Sequence, residues 1–151
     1  MENLRVLLIE DDQFLRRACE AGLKKRGFTV LTAVDGEEGL RRAQADIPDL
    51  ILLDMLMPKL SGMQALEALK NEERTRNIPV VILSNSSLDS DLQKAKDLGA
   101  AGYLVKASLS LKELGDRVMS FIPKKDPPER RYYELSGVLR TSRSTGTSST
   151  L

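Results

Sequence analysis

The chain has 151 residues and a mass of 16.8 kDa, the size of one ordinary domain with a tail. Its 23 lysines and arginines against 22 acids leave a formal charge of +1, which excludes the field of a strongly basic DNA binder or of a protein held electrostatically to a membrane. With no histidine and a single cysteine, Cys19, triads built on a histidine base, internal disulfides and most zinc or haem sites are excluded as well.

Hydrophobic residues make up 41% of the chain and aromatic ones 4%, which predicts an aliphatic, globular core. The amino terminus, MENLRVLLIEDD, meets acids too early to build a signal-peptide core or a membrane span. A reducing, cytoplasmic setting is therefore expected.

Leu4 to Ile9 reads as a first strand. Residues 13 to 26 carry Leu15, Ala18, Gly22 and Leu23 on one helical stripe and stop at Gly27. Phe28 to Thr32 reads as a second strand, followed by a helix capped by Asp35 with Glu38. Leu50 to Leu53 reads as a third, followed by a helix capped by Ser61 with Gln64. Val80 to Leu83 is the fourth strand, and its helix carries Leu88, Leu92, Ala95 and Leu98 on one face before Gly99. Ala101 to Val105 is the fifth, and Ser110 with Glu113 opens a last helix that aligns Leu111, Leu114, Val118 and Phe121. Such near-continuous apolar runs suit strands buried on both faces. The alternation predicts an α/β fold, a doubly wound parallel sheet with helices on both faces and a ligand site at the strand carboxyl ends.

Past Ile122 the composition shifts. Pro123 and the Pro127–Pro128 pair break any helix, and eight of the ten residues from Thr141 to Thr150 are Ser or Thr. Residues 1–122 hold 17 basic and 19 acidic side chains, and residues 123–151 hold 6 and 3. A domain over 1–122 and a flexible, mildly basic tail over 123–151 are expected, the tail being too short for a DNA-binding output domain. Its one helical hint, Tyr132, Leu135, Val138 and Leu139, is interrupted by Gly137. Arg130, Arg131 and Arg140 suit an acidic partner, whereas the Tyr132–Tyr133 pair suits docking back on the domain.

At the strand carboxyl ends stand Glu10, Asp11 and Asp12, then Asp54, Ser84 and Lys106. Taken singly, each has an ordinary explanation: acids complementing a helix dipole, a turn aspartate, a loop cap, a solvated lysine. Taken together, crowded carboxylates call for a hard divalent cation with oxygen ligands, Mg²⁺ above all. A lone ammonium beside them suits a phosphoryl group in transfer. A carboxylate can itself be the nucleophile and form a labile acyl phosphate, and Asp54, alone at the end of the central strand, is the candidate.

In these motifs the chain resembles the receiver domain of two-component response regulators, of the chemotaxis-regulator type, from residue 4 to about 122. The motifs are IEDD after the first strand, LLDMLMPKLSG around Asp54 with Pro58 and Gly62, Ser84 ending the fourth strand, and GYLVK ending the fifth. The resemblance implies a flavodoxin-like five-stranded sheet of order 2-1-3-4-5 flanked by five helices. It implies a phosphoryl group accepted on Asp54, and Mg²⁺ held by Asp11, Asp54 and the Leu56 backbone carbonyl, with Glu10 acting through water. Lys106 would pair with the phosphoryl group, Ser84 would close on one of its oxygens, and Tyr103 would then turn inward. Asp12 is expected only to start a helix.

Three positions depart from the family. Ala107 follows the lysine where proline after a cis bond is usual, Asn85 stands where a smaller residue is commoner, and Leu56 is apolar where attacking water approaches; altered, slow dephosphorylation is expected. The reading is a single-domain response regulator that takes phosphate from a histidine kinase or phosphotransfer protein and signals by binding a downstream protein. It would be a monomer or weak dimer, without DNA or membrane binding, and no enzyme beyond its own phosphoryl transfer and dephosphorylation. The alternatives are an unphosphorylated pseudo-receiver scaffold and an FMN-binding flavodoxin-like module, the latter disfavoured by carboxylates where amides and aromatics are needed.

Overall fold

The computed structural model describes residues 3–123; the expectations for 124–151 lie outside the described residues. Five strands, β1 (Arg5–Ile9), β2 (Thr29–Ala33), β3 (Leu50–Asp54), β4 (Val80–Ser84) and β5 (Gly102–Val105), alternate with α1 (Gln13–Arg26), α2 (Gly36–Asp46), α3 (Gly62–Asn71), α4 (Asp89–Asp97) and α5 (Leu111–Phe121). All pairings are parallel and the order is β2-β1-β3-β4-β5, the doubly wound α/β sheet anticipated. Strand bounds shift by a residue. Leu4, Phe28 and Ala101 precede their strands, while Asp54 and Ser84 close theirs, because apolarity does not separate a ladder residue from a buried neighbour.

Alternation with period two sorts the core into two layers. Leu7, Ile9, Ile51, Leu53, Val80 and Ile82 meet Ala43 of α2, Leu66 and Leu69 of α3 and Ala95 of α4. Val6, Leu8, Leu50, Leu52, Val81 and Leu83 meet Cys19 and Leu23 of α1 and Leu114 and Val118 of α5. Burial on both faces holds for β1, β3 and β4 but not for the edge strands: the first four residues of β2 and three of the four in β5 are only half-buried.

The helix starts follow the capping signals with one correction. Ser61 and Ser110 make reciprocal capping boxes with Gln64 and Glu113. Asp35 accepts from the Glu38 N–H at 2.8 Å, but the Glu38 carboxylate accepts from Val34 N–H at 2.7 Å, one residue before the cap. The apolar face read for α4 is also only partly covered. Ala95 is buried, whereas Leu88 and Leu92 are 64% and 37% exposed, because α4 packs at the sheet edge beside β5 and its stripe extends past the apolar surface. Leu111 at the start of α5 is likewise exposed.

Two glycines are required by geometry. Gly27 ends α1 at φ 111°, a left-handed cap that side chains resist. Gly62 starts α3 so close to the end of β3 that a Cβ there would sit 2.5 Å from the Asp54 carbonyl oxygen and 2.6 Å from Met55 Cα. Both contacts are to backbone, so nothing flexible can give way. Gly62→Ala is expected to destabilise the fold by roughly 1–3 kcal/mol, the usual cost of overpacking, and to move the end of β3; urea denaturation checks the first effect and amide chemical shifts at Asp54 the second.

Candidate functional site

Strand register assembles the site. Ile9 pairs with Leu53, so Glu10 and Asp54 come next on adjacent strands; Asp54 pairs with Leu83 and Ser84 with Val105, which brings Lys106 to the same edge. Alternation then divides these residues. Glu10, Asp54 and Lys106 share the parity of Leu8, Leu52 and Leu104, the layer under α1 and α5. Ser84 and Tyr103 fall on the other side, where Met55 and Tyr103 pack.

The observed contacts agree with that division. Lys106 Nζ lies 2.7 Å from Asp54 Oδ1 and 3.5 Å from Glu10 Oε1. Asp54 and Glu10 are 3% and 1% exposed. Asp11 is exposed, yet one oxygen from each of Glu10, Asp11 and Asp54 lies within 4.8 Å of the others. These residues line an open cleft of about 490 Å³ with Leu56, Asn85 and Ala107. Among the described residues no peptide bond is cis, so Lys106 reaches Asp54 with a trans bond before Ala107.

Burial sets the electrostatics. It raises the Glu10 carboxyl from its ordinary 4.5 to about 7, with the Asp54 charge adding and the Asp12 N–H and Lys106 opposing. Burial also raises Asp54, against the hydrogen bond and charge of Lys106. For Lys106, burial lowers the pKa, but the hydrogen bond and charge of Asp54, joined by Glu10, outweigh it and the net shift is upward. Burial pushes the Cys19 thiol up to about 11, so it stays protonated and is no nucleophile.

A divalent cation fits this donor set. Glu10 Oε2 accepts from the Asp12 N–H at 3.1 Å, but Oε1 is buried without a hydrogen-bond partner, a costly state for a carboxylate oxygen. The acids offer only oxygen, the preference of hard ions. Asp12 caps α1 instead, accepting from the Leu15 N–H at 2.9 Å.

Ser84 and Tyr103 are not brought to the carboxylates. The Ser84 hydroxyl donates to the Met55 sulfur at 3.7 Å and accepts from the Ser86 N–H at 3.0 Å, while the Tyr103 hydroxyl donates to the Ser86 carbonyl at 3.0 Å. Two residues of this neighbourhood escaped the sequence reading. Ser86, besides these contacts, donates through its own hydroxyl to Asp91 of α4 at 2.6 Å. Arg16 Nη1 donates to the carbonyls of Glu10 at 2.9 Å and Asp11 at 3.2 Å, pinning the acidic loop from α1. Arg16 lies one helical turn into α1, and that spacing was the available signal; Ser86 left none, since a loop serine has no periodicity.

The chain matches the family described as response regulator receiver domain over residues 6–119. It is 33% identical to protein PilG of Pseudomonas aeruginosa over 126 residues, covering 83% of this chain and 93% of that protein. It is 41% identical to the transcriptional regulatory protein PrrA of Mycobacterium tuberculosis over 118 residues, 78% of this chain but 49% of that one. Among solved structures, the chemotaxis protein CheY4 of Vibrio cholerae superposes with a TM-score of 0.75 at 27% identity, covering 80% of this chain and all of that one. A protein with this fold and acidic edge belongs to the phosphorelay class of signalling modules. The chain is a member of the response regulator receiver family of two-component systems. It spans nearly all of PilG and about half of PrrA.

The raised carboxyl gives a pH prediction. A carboxyl whose folded pKa exceeds its unfolded value binds its proton more tightly in the folded state, so its contribution to stability is present below the unfolded pKa and lost as pH rises through the folded one. For Glu10 that window runs from 4.5 to about 7. Protein kept metal-free with a chelator is expected to lose thermal stability across this window, and Glu10→Gln to flatten the loss. Melting curves at stepped pH check it; an equal slope in both proteins would refute the assignment to Glu10.

Proposed function

We propose that Asp54 is a phosphoacceptor: one of its oxygens attacks the phosphorus of a phosphohistidine, the new O–P bond forms as the N–P bond breaks, and the imidazole leaves. The observation that carries this is the buried Asp54 carboxylate at 2.7 Å from Lys106, in a cleft also lined by Glu10, whose buried Oε1 has no hydrogen-bond partner. Lys106 neutralises a phosphoryl oxygen as charge moves onto it, and the buried setting strengthens that attraction. Glu10, Asp11, Asp54 and the Leu56 carbonyl are the groups that would hold Mg²⁺, which when bound supplies charge neutralisation for phosphoryl oxygens.

Signalling follows from partner exchange. The Ser84 hydroxyl is held by weak or shareable partners, a thioether and an amide, so it is free to turn to a phosphoryl oxygen. Ser86, which also anchors Tyr103 and Asp91, would then lose its bond to Ser84, and Tyr103 would turn inward. The changed face of α4, β5 and α5 binds a downstream protein. The donor is a histidine kinase or phosphotransfer protein. The lone, buried Cys19 and the absence, among the described residues, of any helix long and apolar enough to cross a membrane accord with work in the cytoplasm.

Incubation with acetyl phosphate and Mg²⁺ is expected to add one labile phosphoryl group, about 80 Da by intact mass, to the wild type and none to Asp54→Ala. Lys106→Ala should slow the gain by about 10²-fold, the usual loss when one transition-state donor is removed. No gain in the wild type from acetyl phosphate or from a phosphohistidine donor would replace this reading with that of an unphosphorylated interaction scaffold.

Leu56, 73% exposed, and Asn85 both line the cleft beside Asp54, where a water attacking the acyl phosphate must approach. Asn85→Ala is expected to shorten the lifetime of the phosphorylated form; equal decay in both proteins would remove Asn85 from the account.

A further inference from the structure

The end of the sheet opposite the carboxylates carries a groove that phosphoryl chemistry does not use. It measures about 980 Å³ and is walled by the segments that enter the strands, with Leu4 before β1, Phe28 before β2, Pro48 before β3 and Pro79 before β4. Phe28 and Ile78 form a buried floor, and Met119, Ile122 and Pro123 close one side.

One wall residue is held against its backbone preference. Ile47 sits at φ 43° and ψ 68°, left-handed, just before Pro48, where a β-branched side chain is disfavoured and glycine or asparagine would fit better. Its side chain is nevertheless 40% exposed and lines the groove. This conformation is the C-cap of α2, with the Ile47 N–H donating to the Ala43 carbonyl at 3.0 Å, and it leaves the side chain as an apolar wall of the groove.

The chain itself offers an occupant for the groove. The described residues end at Pro123, which lines the groove, and 28 residues follow. Eight of them separate Pro123 from Tyr132, a reach of up to about 30 Å when extended, enough to turn back. Residues 132–139 then supply Tyr132, Tyr133, Leu135, Val138 and Leu139, with Glu134 among them and Arg130, Arg131 and Arg140 at the borders. Arg26, Asp49 and Arg74 stand at the polar margin of the groove, which leaves its apolar floor as the surface that such a stretch would cover. A tether this short holds the segment at an effective concentration on the order of mM, so modest contacts suffice.

We propose that residues 132–139 dock in this groove as an intramolecular strap, with the tyrosine pair against Ile47 and Ile122. The strap covers the sheet edge away from Asp54 and is independent of phosphorylation.

Hydrogen exchange read by mass spectrometry on the full chain tests this, with the isolated peptide 124–151 as reference. Exchange over 132–139 is expected to be several-fold slower in the wild type than in the peptide, at any protein concentration. The protection should be lost in Ile47→Gly, which removes the wall side chain while relieving the left-handed backbone, and in Ile122→Asp. Melting curves establish that each variant is folded. Exchange equal to the peptide's overturns the proposal. Protection that grows with protein concentration overturns it in favour of a second copy of the chain, and protection retained in folded Ile47→Gly and Ile122→Asp places the segment elsewhere.

Discussion

Three carboxylates lie within 4.8 Å of one another at a sheet edge, two of them buried, with one ammonium among them. Like charges at that distance, removed from water, are held together only by what opposes them. Lys106 opposes Asp54 at close range and Glu10 at longer range, and the remaining imbalance shows as carboxyls raised toward neutrality and a buried Glu10 oxygen without a hydrogen-bond partner. The rest of the fold serves to maintain this imbalance. Parallel register brings Glu10 beside Asp54, Gly62 lets α3 start against the end of β3, and Arg16 holds the carbonyls of the acidic loop.

The same alternation that collects the charges on one side of the edge puts Ser84 on the other. Its hydroxyl is tied to Met55 and to Ser86, and Ser86 is tied to Tyr103 and to the first turn of α4. α4 has no side-chain cap of its own and leaves Leu88 and Leu92 exposed, so few buried apolar contacts hold its start. An element held chiefly by a few polar contacts near a charged site is one that a local charge event can move. The opposite end is built differently, with buried Phe28 and Ile78 under an apolar groove.

Fold class was legible from the sequence because periodicity survives in local stretches: apolar runs for strands, stripes and capping pairs for helices. The misreadings were of environment. α4 carries a regular apolar stripe, yet it packs at a sheet edge and much of the stripe is exposed; β2 reads as apolar but is an edge strand. Glu38 stands where a capping box needs it, yet its carboxylate reaches Val34, one residue further back.

The sequence by itself determined the chemistry available. Without histidine and with one cysteine, only carboxylates, hydroxyls and lysine were left to act, and strand ends were where they would act, since a βα alternation places loops and helix starts there. What only the tertiary structure decided was which of those groups meet and in what state. The 2.7 Å pair of Lys106 with Asp54, the buried Glu10 oxygen and the bond from Tyr103 to Ser86 all depend on cross-strand register and desolvation. Those arise from residues far apart in the chain, and no local pattern encodes them.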